Sequence, residues 1–63
     1  MSDPWKNMIL TEVHLSERVG GENVYDFVSE DGIRRLYNLR ESDIDSETES
    51  LNVGDKVRVK WGL

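Results

Sequence analysis

The sequence predicts an all-β fold: a small barrel or a strongly curved antiparallel sheet of four to five strands with one short helical turn. Three observations carry this expectation. Glycine-bearing turn signals, Val19-Gly20-Gly21-Glu22-Asn23 and Ser29-Glu30-Asp31-Gly32, separate short runs of β-formers, and glycine tolerates the positive φ that tight hairpin turns need. The tail Lys56-Val57-Arg58-Val59-Lys60-Trp61 alternates strictly between cationic and apolar residues, the pattern of a half-buried strand. The chain has 63 residues and no cysteine, so one small apolar cluster must hold a single domain, residues 1–63, without disulfide or thiolate reinforcement.

The elements follow in order. Residues 8–16 read as the first strand, because Ile9, Thr11, Val13 and Leu15 alternate and three of them are β-branched. A helix over residues 5–18 competes, opened by Asp3-Pro4 with Trp5, Met8, Ile9 and Val13 on one side. It would place Glu12 on its apolar stripe, and the strand is preferred. Val24-Tyr25-Asp26-Phe27-Val28 forms the second strand, with apolar residues on both faces, as expected of a strand covered on both sides or lying in a closed, curved sheet. Ile33 to Leu39 forms the third. Its alternation is imperfect, with Ile33, Arg35, Tyr37 and Leu39 on one face and Leu36 on the other; a β-bulge would restore the phase. Leu39 to Ile44 reads as a short helical turn under which Leu39 and Ile44 tuck inward. Ser42-x-x-Asp45 and Ser46-x-x-Glu49 have capping-box spacing, consistent with a further turn toward Ser50. Leu51 to Asp55 then turns the chain into the last strand, Lys56 to Trp61.

Charge is uneven. The net charge is −5, yet Glu41 to Ser50 holds five acids and no base, leaving eight acids against eight bases elsewhere. The protein is a neutral body with one acidic loop. No apolar run approaches the roughly 20 residues of a membrane span, and MSDPWKN lacks the basic-then-apolar layout of a signal peptide. A cytoplasmic protein without a membrane partner is expected.

The residues offer little for catalysis. The single histidine, His14, lies opposite Ile9, Val13 and Leu15 on the strand reading and so toward solvent, and a nucleophile–base pair needs a shielded site. No enzyme activity and no cofactor are expected. Asp43, Asp45, Glu47 and Glu49 alternate like calcium-loop ligands. Counted from Asp43, however, loop positions six and twelve hold Thr48 and Gly54 where glycine and glutamate are required, so no metal site is expected. Binding is better supported. Lys56, Arg58 and Lys60 would stand about 6.6 Å apart along one strand face, close to phosphate spacing in an extended single strand. Arg34, Arg35 and Arg40 form a second basic group, and Trp5, Tyr25, Tyr37 and Trp61 are candidate stacking platforms. The competing reading is a solvated strand face whose lysines guard an edge. The acidic loop, Glu41, Asp43, Asp45, Glu47 and Glu49, could steer a basic protein surface or fold back over the cationic stripe. A protein partner is the leading expectation and nucleic acid the alternative. Homodimerisation by edge pairing or through Trp61 would suit so small a core.

Gly54-Asp55-Lys56-Val57-Arg58-Val59-Lys60-Trp61-Gly62 resembles the opening of the KOW motif of SH3-like barrels and is similar to the first strand of Tudor-type domains. Val24 to Gly32 resembles the middle hairpin of Tudor-like barrels. The resemblance implies an SH3-like small barrel. It departs from those families in placing this strand at the end of the chain, with only Leu63 after Gly62, and none of the families' functional residues is carried over.

Overall fold

A computed structural model describes residues 4–45 and 47–60. The strands are β1 (Trp5–His14), β2 (Val24–Ser29), β3 (Arg35–Leu39) and β4 (Lys56–Lys60), with 3-10 turns at Glu41–Asp43 and Thr48–Ser50 between the last two. They form one four-stranded antiparallel sheet in the order β3-β2-β1-β4. The all-β expectation is met by the open sheet and not by a closed barrel. The single helical turn becomes two 3-10 turns. Trp61 and Ser46 lie outside the described residues, so β4 is described only to Lys60 and nothing follows for the second capping-box spacing.

β1 is the central strand, paired on one side with β2 and on the other with β4. It is a strand and not a helix because both neighbours take up its backbone hydrogen bonds along its length. It ends at His14, two residues earlier than the alternation predicts, and a loop rich in glycine and polar residues returns the chain to β2. The β2–β3 turn is where Asp31-Gly32 places it: the Gly32 N–H donates to the Ser29 carbonyl at 2.8 Å, and Gly32 has φ +79°. Side chains tighten this turn further, since the Asp31 carboxylate accepts from the Ser29 hydroxyl and the Ile33 N–H. These donors, the Ser29 hydroxyl first, hold the Asp31 carboxyl below its usual range.

Two β-bulges set which residues face the core. In β1, Leu10 pairs with Phe27 and Glu12 with Asp26, so Thr11 is the extra residue. The bulge shifts the alternation by one. Met8, Leu10 and Val13 therefore face inward, and Ile9 turns to the outer face with its partners Val28 and Lys56. The predicted face of Ile9, Thr11, Val13 and Leu15 is thus corrected; Leu15 is exposed. In β3, Tyr25 pairs with Leu39 and Phe27 with Leu36, three residues against two. The anticipated bulge is present, but it selects Leu36 and Leu39 for the core and leaves Ile33 and Tyr37 exposed.

The core consists of Met8, Leu10, Tyr25, Phe27, Ile44, Val57 and Val59, with Val13, Leu36, Leu39 and Leu51 packed against it. All of it lies on one side of the sheet. Ile44 is the acidic loop's contribution. It bridges to Val59, and the Asp45 N–H donates to the Arg58 carbonyl at 2.9 Å. The loop therefore runs along the free edge of β4 and occupies part of it, which is one way a small sheet blunts an edge. Asp43 anchors the first 3-10 turn, its carboxylate accepting from the Arg40 N–H at 3.4 Å and its own N–H donating to the Arg40 carbonyl at 2.9 Å.

Candidate functional site: the outer sheet face

The face opposite the core is built by the register. Arg35 pairs with Val28, Val28 with Ile9, and Ile9 with Lys56. Directly paired residues share a face, so these four form one row across all four strands. Ile9 and Val28 are half-buried at its centre, and the cations Arg35 and Lys56 are exposed at its ends. Along β4 the same face carries Arg58, opposite Asn7, and Lys60, opposite Trp5. The cationic stripe is thus real as a surface: Val57 and Val59 are buried while Lys56, Arg58 and Lys60 are exposed.

The stripe is partly neutralised. Lys56 Nζ lies 3.0 Å from Glu30 Oε1, contributed by the β2–β3 turn. Arg58 Nη1 lies 3.8 Å from Asp45 Oδ2, contributed by the acidic loop. Both pairs are about half-exposed and add little to stability. The acidic loop reaches the β4 edge at Ile44 and Asp45, and its Asp45 carboxylate touches the stripe. Its Glu41, Glu47 and Glu49, with Thr48, surround a shallow open depression. The Thr48 hydroxyl donates to Glu41 Oε1 at 3.2 Å across it. Arg35 opens β3, Arg34 precedes it, and Arg40 precedes the first 3-10 turn. The sequence-predicted basic groups are therefore split: Arg35 joins the row with Lys56, whereas Arg40 lies beyond the β3 bulge, next to Asp43. Tyr37 is exposed, and Tyr25 is a core residue. That removes Tyr25 from the stacking platforms. Trp61 lies outside the described residues.

A second cluster occupies the same face, beyond the Thr11 bulge. Asp26 is buried, with its side chain 9% exposed, yet it stands on β2 between Tyr25 and Phe27 and points away from the core. Its carboxylate is satisfied by two partners. Oδ1 accepts from the backbone N–H of Asn38 at 3.0 Å, and Oδ2 lies 2.8 Å from His14 Nε2. Asn38 is the bulged β3 residue in the left-handed region, φ 58°, which turns its N–H toward Asp26. Glu12, paired opposite Asp26, brings Oε2 to 3.8 Å from His14 Nε2. The Thr11 hydroxyl donates to the Asp26 carbonyl at 3.1 Å. The hydrogen bond that the His14 ring makes to the Asp26 carboxylate raises the His14 pKa above the ordinary 6.5; desolvation opposes this, and the charges of Asp26 and Glu12 add to it. Burial would by itself raise the Asp26 carboxyl, but the Asn38 N–H and the His14 ring together bring it below the ordinary 3.8. Among the described residues no buried side-chain N or O lacks a partner.

Sequence reasoning put His14 on the outer face but missed this cluster. The signal available was Glu12-x-His14, two polar residues at strand spacing. What completes the cluster is the cross-strand register and two bulges, which no single strand displays. Comparison of the chain with protein-family models, with curated proteins and with solved structures finds no match. Among the described residues no helix is long and apolar enough to cross a membrane.

Proposed function

We propose that the protein is a non-catalytic binding module whose outer sheet face takes up a protein segment bearing acidic and apolar side chains. The observation that carries this reading is the row Arg35–Val28–Ile9–Lys56, an apolar centre between two cations. Interfaces of this kind place apolar groups at the middle and charge at the rim, where it guides approach and fixes register. Exposed Tyr37, on the β3 edge strand, extends the available surface. The acidic loop serves in this reading as a support for β4, through Ile44 and Asp45, and as a source of solubility.

Nucleic-acid binding is the second reading, supported by the exposed cations along β4. It is the weaker of the two because Lys56 and Arg58 already have carboxylate partners, Glu30 and Asp45, which a polyanion would have to displace.

The test compares wild type with the double variant Arg35→Glu, Lys56→Glu. Proteins recovered by the wild-type chain from a lysate should be lost with the double variant. They should be kept by a variant in which Glu41, Glu47 and Glu49 are glutamines. Unchanged recovery with the double variant means the proposed face is wrong. Titration with single-stranded and duplex oligonucleotides at two salt concentrations addresses the second reading. Binding whose log-log salt slope is about −0.7 or −0.9 per phosphate contact, and which the double variant weakens, would replace the protein-binding reading. Sedimentation of the isolated chain shows whether the partner is a second copy.

A further inference from the structure

We propose that Glu12, His14 and Asp26 form a binding site for a divalent first-row transition ion, with Zn²⁺ the representative ligand. The three residues lie together on the outer face, and one ligand atom from each falls within 4.8 Å of the others. Two of the separations are 2.8 Å, from His14 Nε2 to Asp26 Oδ2, and 3.8 Å, from His14 Nε2 to Glu12 Oε2. Ligands about 2.0–2.2 Å from a tetrahedral ion stand about 3.4 Å from one another, so these distances bracket the required spacing. Closing the difference needs a rotation of the Glu12 side chain, which is 64% exposed and free to move, and a small opening of the His14–Asp26 contact.

The surroundings fit a ligand set better than a surface ion pair. Asp26 is fixed in a buried position, and the Asn38 N–H occupies Oδ1 and leaves Oδ2 directed at the His14 ring. An outer hydrogen bond of this kind orients a ligating carboxylate and holds it ready. His14 and Asp26 come from different strands, yet the Thr11 bulge brings them to hydrogen-bond distance. The site is open to solvent on the Glu12 side, so one or more coordination positions would be filled by water or by a donor from outside. The donor chemistry sets the ion. One imidazole nitrogen with two carboxylates suits zinc, cobalt, manganese or iron, whereas calcium and magnesium prefer oxygen alone. This distinguishes the site from the carboxylate-only depression of the acidic loop, which serves as the control location.

His14 is the only histidine in the chain, so its ring nitrogens can be read without assignment ambiguity. The experiment titrates Zn²⁺ into the full chain, by calorimetry and by ¹⁵N-edited spectra of the imidazole. The expected result is saturable binding of one ion per chain: Nε2 gives up its proton and moves to the metal-bound position, and Nδ1 is left as the protonated ring nitrogen, which identifies Nε2 as the ligand. His14→Gln should weaken binding at least about tenfold, and Glu12→Gln should weaken it measurably. The loop variant Glu41→Gln, Glu47→Gln, Glu49→Gln should bind as wild type does. Amide spectra of each variant confirm folding, and Glu12→Gln, an exposed position, keeps the test valid should His14→Gln unfold. The proposal is overturned by absence of saturable binding below about 1 mM, an affinity no better than about −4 kcal/mol. It is equally overturned if the imidazole resonances stay fixed while Zn²⁺ binds, or if affinity is lost only in the loop variant.

Discussion

Replacing Asp26 by alanine removes the one acceptor that serves the Asn38 N–H and the His14 ring together. A hydrogen bond to a charged partner contributes about 1.5–3 kcal/mol net. The Asn38 amide is only part-buried, so water can reach it once the carboxylate is gone, which puts the expected cost near the middle of that range, about 2 kcal/mol. Asp26→Asn keeps an oxygen for the Asn38 N–H but loses the charge and presents an NH2 in place of the oxygen that accepts from the His14 ring, so about 1 kcal/mol is expected. A domain of this size is stabilised by roughly 3–5 kcal/mol in total. The alanine variant should therefore unfold at markedly lower urea, its midpoint falling by about 2 M for an m-value near 1 kcal/mol/M. The assay is urea denaturation followed by tryptophan fluorescence, at one pH and with chelator present so that no bound ion contributes. If Asp26→Ala lies within about 0.5 kcal/mol of wild type, the buried carboxylate is a bystander and the account of the β3 bulge is wrong. If Asp26→Asn is as costly as Asp26→Ala, the ring contact and not the Asn38 amide carries the effect.

Three further outcomes are expected. In metal-free buffer the stability difference between wild type and His14→Gln should depend on pH. The raised His14 value makes its contribution full below about 6.5 and lost as pH climbs through the folded value; the lowered Asp26 value makes its contribution full above about 3.8 and lost as pH falls through the folded value. The difference in urea midpoint should accordingly be largest between about pH 4 and 6.5 and shrink as pH rises above the folded His14 value; a difference that does not change with pH would refute the pairing. At position 38, where φ is 58°, Asn38→Gly should cost no more than about 0.5 kcal/mol, whereas Asn38→Val should cost about 1–3 kcal/mol, both read from the same denaturation curves. Ile44→Val should cost about 1 kcal/mol and speed amide exchange at Asp45, whose N–H is held by the Arg58 carbonyl; unchanged exchange would mean that Ile44 does not pin the loop.

Local chemistry made much of this fold legible. The β4 alternation gave the correct buried valines and exposed cations, because an undistorted strand obeys its period. Asp31-Gly32 placed the β2–β3 turn, since few residue pairs suit that backbone. Leu39 and Ile44 were expected beneath a helical turn, and both contribute to the core. The phase of β1 was not legible. An extra residue at Thr11 leaves no mark on a single strand, as any five consecutive residues still alternate plausibly; only the count of partners on β2 exposes it. The same limit hid the Glu12–His14–Asp26 cluster, which exists only across strands. The two-faced look of β2 has a matching explanation. Val24 and Val28 lie on the outer face with Asp26 and are half-buried there by their neighbours in the open sheet.

Trp5, the first residue of β1, and Lys60, the last described residue of β4, are paired on neighbouring strands. Paired Cα atoms stand about 4.5–5.5 Å apart, a gap that a few residues could span. A chain closed there and cut in the Gly20-Gly21 loop would keep every strand neighbour while beginning at β2 and ending at β1. The β1–β4 pairing, now made between the first and last strands, would become a local hairpin, and β1–β2 would become the distant one. Contact order would move from one side of the central strand to the other, and the strand that folds last would change with it. The same adjacency suits the domain to insertion in a host protein's loop, where both connections would emerge together. In connectivity this open sheet is already close to a ring.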